Sequence, residues 1–164
     1  MWVDQEKVLA AKRAFQQGES FDPSVVRPAI LESWKRSRSF GVRMDTQPPR
    51  ILTEEELAER CRQRREFCDV ALPFVKSLRE FATGAGFVMT VCDEEGYVLQ
   101  VTGDEDLQQI IRAGGMVEGC NRNERRIGTN GVGTPVETGQ PVQVFSEEHY
   151  FGPSRKWGCT GAPI

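Results

Sequence analysis

The residues equipped for chemistry gather in positions 122–159 of this 164-residue chain. Gly128, Gly131 and Gly133 fall within six residues and are interleaved with Thr129, Asn130 and Thr134. Glycine permits positive φ and lets backbone approach a neighbour closely. The run therefore reads two ways: a tight connection ahead of a capped helix, or a pocket floor whose N–H groups point at a small ligand. Thr129 or Asn130 supplies the N-cap of the short helix that follows, and Gly139 stands where a helix C-terminal glycine belongs. A strand over residues 141–145 leads to Glu148, His149 and Tyr150, with Trp157 and Cys159 beyond. His149, the only histidine, titrates near neutrality if unperturbed. It has no nucleophile at a diagnostic spacing, so the expectation is a hydrogen-bonded structural role or a ligand contact, with no catalytic residue. GTNGVGT lacks the lysine of a phosphate loop and is not read as a nucleotide site.

The five cysteines form no framework: the count is odd and no C-x-x-C occurs. Cys61 and Cys68, on one helix, would stand about 10 Å apart at a rise of about 1.5 Å per residue, too far to bridge. One histidine argues against structural zinc. No metal and no cofactor are expected.

The elements that must position these residues follow from periodicity. Residues 4–17 form a first helix with Val8, Leu9 and Phe15 on its apolar stripe, closed by Gly18. Pro28 suits a first helical turn, and Val26, Ile30 and Trp34 recur every four residues on one face. Lys35, Arg36, Arg38 and Arg43 make this end basic; a solvated helix face is the expectation, against a DNA or partner contact. Residues 46–52 read as a linker. Thr53 with Glu56 is a capping box opening a long helix toward Phe81. Leu57, Cys61, Cys68, Ala71, Leu72, Val75, Leu78 and Ala82 outline its buried face, and Pro73 predicts a kink or two abutting helices. The narrow stripe pairs either with a second copy or with the chain's own N-terminal helices. Residues 87–92 read as a strand apolar on both faces, central in a sheet; residues 93–96 as a hairpin loop; residues 97–102 as the returning strand. A helix carrying Leu107, Ile110 and Ile111 follows. Net charge is −3, which argues against this piece gripping nucleic acid alone. No run reaches membrane-span length and no signal peptide is visible, so the expected compartment is the cytoplasm.

Residues 128–134, then Glu148-His149-Tyr150, Trp157-Gly158-Cys159 and Ala162-Pro163-Ile164, resemble the signature of a GAF-type sensor domain. It is the N-terminal domain of bacterial activators that work with the alternative sigma factor sigma-54, of the acetoin-catabolism and dihydroxyacetone-kinase operon type. The likeness extends upstream through RPAILESWKRSRSFGV. It implies an α+β, GAF-like (PAS-related) antiparallel sheet flanked by helices, with an N-terminal helical segment and linker over residues 1–52 and the sensor over residues 53–164. The last strands of the family, one of which lies beside residues 87–92, are expected to be missing after Ile164. The resemblance implies a signal-sensing regulatory domain, not an enzyme. It would bind a small-molecule effector or a regulatory protein subunit, self-associate as a homodimer, and reach DNA and the sigma-54 holoenzyme only through domains not in this chain. Glu124, Gly128, Thr129, Asn130, Gly131, His149, Tyr150, Trp157 and Cys159 are the implied ligand-binding residues. Where the family commonly has a Trp two residues before Glu124, this chain has Arg122, expected to face the surface; an inward cation would suit an anionic effector. The alternatives are a stand-alone thiol enzyme such as a free methionine sulfoxide reductase, requiring Cys92, Cys120 and Cys159 to converge, or a dimerisation module with a vestigial pocket.

Overall fold

The computed structural model describes residues 4–43, 50–82 and 84–164. Most of the expected linker, residues 46–52, lies outside the described residues. Elements run in the order α1 (Gln5–Gln17), α2 (Pro28–Ser39), α3 (Glu54–Gln63), α4 (Arg65–Ala82), β1 (Val88–Cys92), β2 (Val98–Gly103), α5 (Glu105–Ala113), α6 (Glu124–Ile127), α7 (Gly133–Thr138), β3 (Val142–Phe145) and β4 (Gly158–Gly161). The architecture is α+β with small antiparallel sheets. The chain divides into two compact units, residues 1–47 with 123–164, and residues 48–122.

In the first unit, Asp4 caps α1 by accepting from the Glu6 and Lys7 amides, and Gly18 ends it at φ 75°. Its buried positions, Val8, Ala11, Lys12 and Phe15, are one helical face. Pro28 starts α2, whose inner face carries Ile30, Ser33, Trp34 and Ser37. These faces close on Val142 and Val144, which alternate inward on β3, and on Tyr150. Antiparallel pairing joins β3 to β4, Val144 opposite Cys159. The helices of residues 1–43 thus share a core with the C-terminal segment; they do not form a segment of their own.

The second unit holds α3, α4, β1, β2 and α5. Thr53 and Glu56 make the reciprocal capping box. The long helix does break in two, but at Arg64 and not at Pro73, which sits inside α4. Proline removes one donor and crowds the carbonyl four residues earlier; Pro73 and Asp69 are both exposed, so water can serve the freed group. Arg64 instead turns its guanidinium to Glu94 and Asp93 on the hairpin. Of the expected inner face only Cys68 and Ala71 are buried, and Leu78 is exposed. Asp93 fixes the hairpin loop by accepting from the Glu95 and Tyr97 amides. Among the described residues β1 pairs with β2 alone and is half-buried, so it is not central in a sheet as its apolar faces suggested.

Candidate functional site

The glycine-rich loop is built around Asn130. Its side chain donates to the Gly128 carbonyl at 2.7 Å and accepts from the Val132 and Gly133 amides at 2.8 and 2.9 Å. This is the local backbone mimicry that asparagine supplies, and it sets α7 off from the loop. Gly139 closes α7 at φ 64°. The close approach of backbone is equally physical. A Cβ at Gly128, which has φ 74°, would collide with the Tyr150 side chain, and one at Gly131 would stand 2.6 Å from Cys159 Cβ. The glycines therefore let this loop pack against the segments that carry Tyr150 and Cys159, and the Tyr150 amide donates to the Thr129 carbonyl.

Helix α2 seals the loop from its other side. Ser33 Oγ donates to Glu124 Oε2 at 2.9 Å and lies 2.7 Å from Thr129 Oγ1 and 3.3 Å from Thr134 Oγ1. Arg36 Nε donates to Glu124 Oε1 at 2.9 Å. Glu124 and Thr129 have no exposed surface. A buried carboxylate is tolerable only with partners of this kind.

A second set of polar contacts anchors residues 146–150. Arg27 Nε donates to Glu148 Oε1 at 2.6 Å, and the other Glu148 oxygen accepts the Phe145 amide. Trp34 Nε1 donates to the Glu148 carbonyl at 2.8 Å. Lys12, 1% exposed, donates to the carbonyls of Glu147 and His149 and to the Glu147 carboxylate. His149 is fully buried, with Nδ1 3.1 Å from the Ser146 carbonyl. Burial pushes the Tyr150 phenol up, partly offset by the charge of Arg38. Trp157, half-buried, accepts the Ser146 amide at its carbonyl.

All nine implied ligand residues thus belong to one unit, where the Glu124 and Thr129 side chains are bonded to α2 and that of Asn130 to the loop's own backbone. Two clefts stand open in the other unit, and neither is lined by any of them. One, of about 420 Å³, lies among Arg50, Leu52, Glu55, Glu56, Glu59, Arg60, Gln63 and Tyr97. The other, of about 470 Å³, lies among Leu72, Pro73, Val75, Lys76, Arg79, Gln100 and Thr102. Arg122 does not face the surface: it is 3% exposed, donates its amide to the Gly96 carbonyl, and sits near enough to Cys92 for its charge to act on that thiol. Cys92 is pushed up to about 12, chiefly by burial, the opposite of an activated thiolate. Cys120 is fully buried. Among the described residues no cluster of His, Cys, Asp and Glu could hold a metal ion, and no helix is long and apolar enough to cross a membrane.

Sequence alone does not single out Lys12 or Arg27 for this junction, whereas Ser33 and Arg36 lie in the family-like stretch expected to pack beside the sensor, and Arg36, expected on a solvated face, instead pairs with the buried Glu124. A signal is present for two of these four. Lys12 falls on the Val8–Phe15 face and Ser33 on the Ile30–Trp34 face. A polar side chain at a core position of an amphipathic helix needs a buried partner.

Comparison with known proteins gives this geometry a setting. Residues 6–164 match the family described as MimR, N-terminal domain. A signal-transduction and transcriptional-control protein of Clostridium beijerinckii is 30% identical over 136 residues, 82% of this chain and 22% of that protein. The acetoin dehydrogenase operon transcriptional activator AcoR of Bacillus subtilis is 28% identical over 157 residues, 95% of this chain and 26% of its own. The chain thus spans about a quarter of the length of these relatives. Among solved structures, the E. coli DhaR(N)–DhaL complex contains a chain of the same fold, with TM-score 0.78 and 21% identity, covering 84% of this chain and 47% of that one. The match over residues 6–164 places this chain in the MimR N-terminal domain family, alongside transcriptional activators that it resembles over about a quarter of their length.

Proposed function

We propose that this chain is the signal-sensing domain of a bacterial sigma-54-dependent transcription activator, working in the cytoplasm. It receives a signal and passes it to ATPase and DNA-binding domains elsewhere in the full gene product. The observation that carries this reading is the family match over residues 6–164, whose relatives bear the names of transcriptional activators. The GAF-like assignment is supported by the order helix, hairpin, helix, glycine loop, and by the fold shared with DhaR(N).

Glu124, Gly128, Thr129, Asn130, Gly131, His149, Tyr150, Trp157 and Cys159 are proposed as the effector-responsive region. A protein subunit is the effector class favoured over a small metabolite, because Glu124 and Thr129 are already bonded to α2 and Asn130 to the loop's own backbone. The DhaR(N)–DhaL complex, in which a domain of the same fold has a protein bound, lends the same reading support. Homodimerisation belongs to the proposal as well. A thiol reductase is disfavoured by the high pKa of Cys92 and the burial of Cys120.

The test has two arms. In the full-length activator, deleting residues 6–164 should abolish signal-dependent expression of a reporter. Calorimetry of the isolated chain against small metabolites and against kinase subunits should give heat with a subunit. A reporter response that survives the deletion overturns the sensor reading; heat only with a metabolite overturns the choice of effector.

A further inference from the structure

Two polar side chains of β2 stand on the face of the hairpin that a helix covers. Gln100 and Thr102, two residues apart, share one side of the strand, and the register sets them opposite Val91 and Met89 of β1. Helix α4 packs across both strands. A sheet face beneath a helix is ordinarily apolar, as Val91 and Met89 are. Thr102 is 8% exposed, yet among the described residues its hydroxyl has no hydrogen-bond partner. The amide of half-buried Gln100 has none there either. Buried polar groups are nearly always bonded, so these two are placed for a partner that the chain does not itself supply.

The space that both side chains line narrows the partner's chemistry. It is the cleft of about 470 Å³ between α4 and β2, a volume usual for small-molecule sites. From α4, Leu72, Val75, Lys76 and Arg79 line it. Their spacing, i, i+3, i+4 and i+7, is one side of a helix. Lys76 is exposed and makes no ion pair among the described residues. The charge of Arg79 reaches Asp104, whose two oxygens are already held by the Gly84 and Gly86 amides at 2.8 and 2.9 Å. Among the described residues no carboxylate lines the cleft. It thus joins two cations, two unbonded polar groups and an apolar wall. Arginine and lysine suit a carboxylate or a phosphate. Leu72 and Val75 suit a carbon skeleton, which inorganic phosphate lacks.

We propose that this cleft binds a small organic carboxylate that carries a second polar group. Lys76 and Arg79 meet its charge, Leu72 and Val75 its carbon chain, and Gln100 and Thr102 its second polar group. The site lies in residues 48–122, the unit that carries none of the nine residues of the effector-responsive region. It therefore goes beyond the subunit contact proposed above and does not depend on it.

The test is NMR titration of the whole isotope-labelled chain with β-hydroxybutyrate, its neutral amide and inorganic phosphate, with a thermal melt for each variant. β-Hydroxybutyrate should move the Lys76, Gln100 and Thr102 amide signals along a saturating curve. The amide keeps the carbon chain without the charge, and phosphate keeps the charge without the chain. Each should bind more weakly, on the order of tenfold. Lys76→Gln and Arg79→Gln, at exposed positions, should each weaken β-hydroxybutyrate on the order of tenfold and still melt with the wild type. Thr102→Val removes a hydroxyl that the free chain leaves unbonded, so it should weaken binding while the melting temperature holds or rises. A clear fall in melting temperature for Thr102→Val would show that the hydroxyl serves the fold, and the premise goes. No saturating shift with β-hydroxybutyrate, or shifts unchanged in Lys76→Gln and Arg79→Gln, overturns the site. Phosphate bound as tightly as β-hydroxybutyrate overturns the organic carboxylate, and the neutral amide bound as tightly overturns the role of the cations. The sensor reading is judged by its own reporter arm.

Discussion

Arg36 and Glu124, 88 residues apart in the chain, form an ion pair of 2.9 Å in which the carboxylate has no exposed surface and the guanidinium is 30% exposed. The pair ties α2 to the start of α6, and Ser33 shares the same carboxylate. Removing the cation leaves a buried carboxylate uncompensated. Arg36→Ala should therefore destabilise the chain by about 3–5 kcal/mol. Glu124→Gln, which keeps the shape and an acceptor, should cost about 1–3 kcal/mol. Urea unfolding of both variants checks the order; equal and negligible losses would show that the junction contributes nothing.

The glycines of the C-terminal segment should rank by what a methyl group meets. A Cβ at Gly161 would fall onto the Gly131 carbonyl oxygen, and one at Gly131 would stand 2.6 Å from Cys159 Cβ, while Gly139 has nothing within 4 Å. Gly161→Ala should destabilise most, followed by Gly128→Ala, whose Cβ meets Tyr150 at φ 74°, and then Gly131→Ala, by about 1–3 kcal/mol for overpacking. Gly139→Ala should cost about 1–2 kcal/mol, from its left-handed backbone alone. Melting temperatures give the ranking. A Gly161→Ala protein that melts with the wild type would contradict the close approach.

Acid titration should find Glu59, Glu94, Asp104 and Glu118 depressed among the carboxylates of residues 48–122. The Arg64 guanidinium bonded to Glu94 holds that carboxyl below its ordinary 4.5, against a smaller opposing effect of burial. The Gly84 and Gly86 amides hold Asp104 below 3.8. A depressed folded-state pKa means stability that is complete above the unfolded value and lost as pH falls through the folded one. The loss should therefore start as pH falls to the ordinary carboxylate values and finish below the lowered ones. Carboxyl NMR titration of Arg64→Met should return Glu94 toward 4.5 and leave Asp104 where it was.

Thiol labelling should separate the cysteines. With its pKa near 12, Cys92 is protonated at neutral pH, and Cys120 is fully buried. Neither should react with iodoacetamide in the native chain, and both should do so after unfolding, while Cys61 and Cys159, partly accessible, should react first. Mass spectrometry of the labelled peptides decides. Rapid native labelling of Cys92 would reopen the thiol-enzyme reading.

Local signals were legible in the sequence because local chemistry produced them. Asp4, Thr53 with Glu56, Pro28, Gly18 and Gly139 mark helix ends through contacts within a few residues of themselves. Asn130 was readable for the same reason. The break at Arg64 was not, since it is set by Asp93 and Glu94 some thirty residues away, whereas Pro73 is tolerated because its surroundings are wet. The inward turn of Arg122 was equally hidden, for side-chain type alone favours the surface. The glycine spacing announced close backbone approach, but only the folded chain shows that Tyr150 and Cys159 are what approaches.

Trp34 is sealed from water and its indole N–H is held by the Glu148 carbonyl, whereas Trp157 is partly exposed. The two should emit at different wavelengths, the enclosed indole toward the blue. With Trp2 and Trp157 replaced by phenylalanine, the remaining fluorescence would come from the one indole bridging α2 and the segment that carries His149. Any event that loosens that bridge then shifts the colour of the light, and the chain carries its own optical gauge of the movement a regulator would have to transmit.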